Sequence, residues 1–92
     1  MIGGNAHDFV DYIYYGQELW FIYDGTKYFL EGWSRDKVNL ELVLYEMEEG
    51  GKEWWWTGNT KNFPVEEFLS APVFNNKTFW EVEKDITWVD CF

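Results

Sequence analysis

Asp24-Gly25 lies between two runs of aromatic and β-branched residues, Glu18–Tyr23 and Thr26–Glu31. Both central residues of a two-residue hairpin loop need φ > 0, and an Asp-Gly pair supplies that at low cost. Placing the turn there sets the register. Phe21 falls opposite Tyr28 and Leu19 opposite Leu30 on one face, and Trp20 meets Phe29 on the other, flanked by Glu18, Lys27 and Glu31. Both faces of the hairpin are therefore partly apolar.

The next segment alternates. Val38, Leu40, Leu42 and Leu44 point one way, while Asn39, Glu41, Val43 and Tyr45 point the other. This predicts a half-buried strand over 38–46. Residues 49–52 then turn the chain back into Glu53–Thr57 as a second hairpin.

Helix signals flank the strands. Residues 8–15 read as a helix capped by Asp8, with Phe9, Tyr12 and Ile13 on one face and Gly16 as its stop. Pro64 opens another, with Val65, Phe68 and Leu69 as its stripe and Ala71-Pro72 as its end. Thr78 and Glu81 form a capping box for a helix near 79–84 that buries Phe79 or Trp80 and Val82. Ile86–Cys91 reads as a last strand. The predicted order is α-β-β-β-β-α-α-β. That is an α+β domain with a mostly antiparallel four- to five-stranded sheet and short helices on one face. All 92 residues form a single domain, and Gly3-Gly4 is expected to leave residues 1–6 loose.

Charge narrows the partners. Seventeen Asp+Glu against seven Lys+Arg give a formal charge of −10. Direct binding to nucleic acid or to an anionic membrane is disfavoured, because both are polyanions. Disorder is disfavoured too, since 47% of the residues are hydrophobic. Cys91 is the only cysteine, so the fold must hold by its core rather than by a disulfide. The N-terminal residues show no secretory pattern, and the longest uncharged apolar run, Leu19–Tyr23, is far too short to span a bilayer. The cytoplasm is the expected compartment.

The chain carries seven Trp, six Tyr and eight Phe. Spacing assigns Phe9, Phe21, Tyr28, Phe68 and Phe79 to the core. Trp54-Trp55-Trp56 cannot all join them. On a strand Trp55 points away from its two neighbours, and on a helix the three spread over about 200°. Something must cover the remainder, and tryptophan is a residue that interfaces favour. Trp20, Trp33, Trp54, Trp55 and Trp56 are therefore the expected interaction surface, toward a protein partner or a second copy of the chain.

Catalytic and metal constellations are sparse. His7 and Cys91 sit near opposite ends of the chain without a local motif. Glu46, Glu48, Glu49 and Glu53 cluster around Gly50-Gly51 as an acidic patch, but lack the calcium-loop spacing and read as a solvated turn. Glu18 and Glu31 face each other across the first hairpin, with little wall around them for a hydrolytic cleft. No catalytic, cofactor or metal residue is expected. Two alternatives to the interaction module remain. Acidic segments at 1–26, 41–53 and 81–92, gathered on one side, would imitate nucleic-acid phosphates and occupy a basic groove of a DNA- or RNA-binding enzyme. Tryptophan platforms rimmed by acids would instead bind a carbohydrate.

Residues 21–33, with their Tyr-Asp-Gly turn, and residues 67–86, with a helix-turn-helix tail, resemble small uncharacterised acidic proteins of Gram-positive bacteria and their mobile elements. The resemblance implies no activity and assigns no functional residue.

Overall fold

A computed structural model describes residues 1–92. Asp24 and Gly25 adopt φ of 50° and 76°, so the Asp-Gly turn forms as its chemistry requires. It joins β1 (Leu19–Tyr23) to β2 (Thr26–Ser34) in the expected register, with Leu19 opposite Leu30, Trp20 opposite Phe29 and Phe21 opposite Tyr28. β3 (Asn39–Glu46) and β4 (Glu53–Asn59) form the second hairpin. β5 (Thr87–Val89) adds beside β1. The result is one five-stranded antiparallel sheet in the order β4-β3-β2-β1-β5.

One face of this sheet is covered by α1 (Ala6–Tyr14), α2 (Val65–Ser70) and α3 (Phe79–Val82), the last running into a 3₁₀ turn at Glu83–Asp85. The core between them holds Phe9, Phe21, Phe68, Phe74 and Phe79 with Leu30, Leu42 and Leu44, all fully buried. Phe9 stacks on Phe79 at 5.3 Å and meets Phe21 edge-on at 5.4 Å, which locks α1 to both α3 and the sheet. The Glu81 carboxylate accepts from the Thr78 backbone N–H at 3.0 Å, as the capping box requires. Phe79 is the buried member of the Phe79-Trp80 pair, and Trp80 is exposed.

Three expectations are corrected. Asn5, not Asp8, caps α1; its side chain accepts from the Asp8 backbone N–H at 2.9 Å, so the cap lies nearly a full turn earlier. The N-terminal residues are not loose. Ile2 bridges to Thr87, donating to the Ile86 carbonyl and accepting from the Trp88 N–H, each at 2.8 Å. Gly4 makes this possible, since a Cβ there would collide with the Trp88 ring. Finally, β3 is not half-buried. Glu41, Leu42, Val43 and Leu44 are all buried, so its centre is covered on both faces.

Candidate functional site

The second cover over β3 comes from the face that carries no helix. Alternation sends Trp20 and Ile22 of β1, Phe29, Glu31 and Trp33 of β2, Glu41, Val43 and Tyr45 of β3, and Glu53 and Trp55 of β4 to that side. Register aligns Trp20, Phe29 and Tyr45 across three strands. Their rings stack in a row, at 5.1 Å for Trp20–Phe29 and 5.9 Å for Phe29–Tyr45.

Beyond this row stand two tryptophans with open rings. Trp33 is 53% exposed and Trp55 49%. Each indole N–H is already satisfied by the glutamate two residues earlier, its same-face neighbour on the strand. Trp33 Nε1 donates to Glu31 Oε1 at 2.6 Å, and Trp55 Nε1 donates to Glu53 Oε1 at 2.8 Å. Glu31 Oε1 also accepts from the Tyr45 hydroxyl at 3.1 Å. Burial, then this hydrogen bond and the charge of Glu31, push the Tyr45 hydroxyl above its ordinary pKa.

Glu41 is the charged group at the base of this region. It is only 6% exposed and takes the guanidinium of Arg35 at 2.5 Å. Arg35 is delivered by the turn between β2 and β3. Asp36 closes that turn by accepting from the backbone N–H groups of Val38 at 2.7 Å and Asn39 at 2.8 Å. These bonds from Asn39 and Val38 hold the Asp36 carboxyl below the usual range. Trp33, Ser34, Arg35, Glu41 and Trp55 enclose a shallow cavity of about 240 Å³.

The expected interaction set is divided between the two faces. Trp20, Trp33 and Trp55 share the open face, Trp20 inside the stacked row. Trp54 and Trp56 lie on the helix side against the core, and Trp56 meets Phe68 edge-on at 5.5 Å. The expected acidic patch also divides. Glu46 pairs with Tyr28 on the helix side, Glu48 and Glu49 sit in the exposed turn, and Glu53 holds Trp55 on the open face. Burial, and then the charge of Glu46, pushes the Tyr28 hydroxyl up to about 12. Of the three wider acidic segments, 1–26 and 81–92 lie together, through the pairing of β1 with β5 and of Ile2 with Thr87, whereas the turn in 41–53 adjoins β4 at the opposite edge of the sheet.

Two groups from the chemical survey stay apart. His7 Nδ1 lies 3.6 Å from Asp8 and 3.5 Å from Asp11, all on the exposed start of α1. Cys91 is exposed beyond β5. A larger concavity of about 460 Å³ between α1 and β5 is lined by Gly3, Gly4, Asp8, Tyr12, Glu18 and Trp88 among others, with neither His7 nor Cys91 in its wall. Sequence reasoning missed Glu31, Tyr45 and the Arg35–Glu41 pair as parts of the site. One signal was present: Glu-x-Trp recurs at 18–20, 31–33 and 53–55, and in the last two the pair is bonded.

No helix is long and apolar enough to cross a membrane. Comparison with protein-family models, curated proteins and solved structures found no match. The functional reading therefore rests on the geometry of the open face.

Proposed function

We propose that this chain acts by binding rather than by catalysis, as a cytoplasmic protein-interaction module whose contact surface is the open face around Trp33 and Trp55. The observation that carries this is the pair of anchored indoles. Their polar edges are bonded to Glu31 and Glu53, so the exposed rings are held in place before any partner arrives. Pre-ordered aromatic surface loses little entropy when covered, which is what makes such rings effective contact points. The cavity beside them supports a protein partner over a sugar. At about 240 Å³ it is below the roughly 300–1,000 Å³ of small-ligand sites, and it suits one inserted side chain. The acidic-decoy alternative is less well supported, because the turn in 41–53 stands at the opposite edge of the sheet from the other two acidic segments.

The test is affinity capture from native lysate with wild type, Trp33→Ala and Trp55→Ala. A specific partner should be retained by wild type and lost with either variant, and the capture should survive elevated salt. Capture that ignores both substitutions, but is released by salt, would replace the aromatic face with the acidic surface as the contact.

A further inference from the structure

The two edges of the sheet are treated differently. On the β5 side the outer edge is closed by the N-terminal residues, where Ile2 exchanges hydrogen bonds with Ile86 and Trp88. On the β4 side nothing closes it. The ladder between β3 and β4 runs from Glu46, whose N–H donates to the Lys52 carbonyl at 2.9 Å, to Thr60, whose N–H donates to the Val38 carbonyl at 3.1 Å. In that register the even-numbered residues of β4 bond inward to β3, and the odd-numbered ones point their N–H and C=O groups outward. Asn59 is satisfied by its own loop, exchanging backbone bonds with Asn62 at 3.1 Å. Glu53, Trp55 and Thr57 are left with unpaired donors and acceptors on an edge strand that has no proline and no bulge. Such an edge is a template for another strand.

We infer that this edge pairs with the same strand of a second copy, antiparallel and about a two-fold axis through Trp55. In that register Glu53 lies opposite the partner's Thr57, and Trp55 lies opposite the partner's Trp55. Every outward N–H and C=O of the three residues then finds a mate, and no like charges face each other. A parallel pairing would set acidic turn against acidic turn, so charge selects the antiparallel arrangement. The contact is isologous and closes on itself, giving one continuous ten-stranded sheet from two five-stranded ones. Trp55 meets its counterpart on the open face, so pairing joins the two candidate contact surfaces into one.

Thr57→Pro tests this directly. Its N–H points outward, so proline removes the bond to a second copy while the ladder to β3 keeps all of its own. Sedimentation velocity over a concentration series should show wild type moving from 11.1 kDa toward twice that mass. Thr57→Pro should stay at the monomer mass throughout, and Trp33→Ala should pair as wild type does. Amide exchange on wild type needs no variant and covers the case in which Thr57→Pro misfolds. The Trp55 and Thr57 amides should become protected as concentration rises. A wild-type monomer at every soluble concentration, a dimer that Thr57→Pro leaves intact, or exchange at these amides that ignores concentration would each overturn the pairing. The face reading fails separately, through capture that survives Trp33→Ala.

Discussion

The covered and open faces of this sheet differ in which aromatics lie deepest. Phe9, Phe21, Phe68, Phe74 and Phe79 are all fully buried under the helices. The open face carries Trp20, Trp33, Tyr45 and Trp55, with Phe29 stacked between Trp20 and Tyr45. Phenyl rings fill the centre of the covered face, where nothing can be hydrogen-bonded. The rings with a polar atom that share that face, Tyr23, Tyr28, Trp54 and Trp56, are buried less completely, whereas Trp33 and Trp55 on the open face meet a glutamate. The aromatics of the two faces are therefore held differently, and each set can be disturbed without the other.

The largest expected effect belongs to the covered face. Phe21→Ala removes a ring that stacks on Tyr28 and meets Phe9 and Phe74 edge-on. It should lower stability by about 3–5 kcal/mol, the usual cost of emptying a phenyl-sized core position. Urea unfolding followed by tryptophan fluorescence measures it. A loss under about 1 kcal/mol would mean that this face is not the core.

Next comes an alkaline effect on the same face. Tyr28 is buried beside Glu46, and its hydroxyl is held up to about 12 in the folded chain against 10.0 when free. Between these values the unfolded chain has released a proton that the folded chain keeps. Stability should therefore be full below pH 10.0 and fall as pH rises toward 12. A shift of this size corresponds to at most about 2–3 kcal/mol. Tyr28→Phe should remove most of that slope while leaving neutral stability near wild type. An unchanged slope, read from urea midpoints across the alkaline range, would show that Tyr28 does not carry it.

The covered face was largely legible in the sequence, and the open face only in part. Asp24-Gly25 set the hairpin register because a two-residue loop leaves no freedom in which residues face one another. Phe9, Phe68 and Phe79 followed from helical spacing. The docking of Ile2 against β5 was not legible, because the bonds that hold it join residues more than eighty positions apart. Gly3-Gly4 read as slack, whereas it serves close approach to Trp88. Asn5 and Asp8 are both good caps, and sequence alone offered no way to choose between them. On the open face, alternation placed Trp55 away from Trp54 and Trp56. The burial of Val43 and Glu41 was hidden, because it depends on neighbours from two other strands and on Arg35 in a turn.

Arg35 gives a smaller effect, on the open face. Arg35→Ala leaves the buried Glu41 carboxylate without its partner. A fully enclosed pair would cost more, but the Arg35 side chain is 67% exposed, so water replaces part of the interaction. The expected loss is about 1–2 kcal/mol. Adding Glu41→Gln should recover part of it, because the uncompensated charge is then gone. If the double variant is no more stable than Arg35→Ala, Arg35 contributes through packing of its stem instead.

The smallest stability effect should come from Trp55, a residue of the proposed contact surface. Trp55 is half exposed, its indole N–H is met by a glutamate at the surface, and its removal opens no internal cavity. Trp55→Ala should cost under about 1 kcal/mol, while Trp56→Ala, one residue on, must cost more because it loses the edge contact with Phe68. The measurement belongs at dilute concentration, since pairing through β4 would add its own stabilisation to wild type. Equal losses at the two positions would mean that both rings are structural, and the distinction between the faces would fail at the strand where it is sharpest. A small loss at Trp55 together with lost partner capture would instead separate the two roles within one strand. Trp56 would then hold the fold, and Trp55 would be held by it, ring outward, for another molecule to cover.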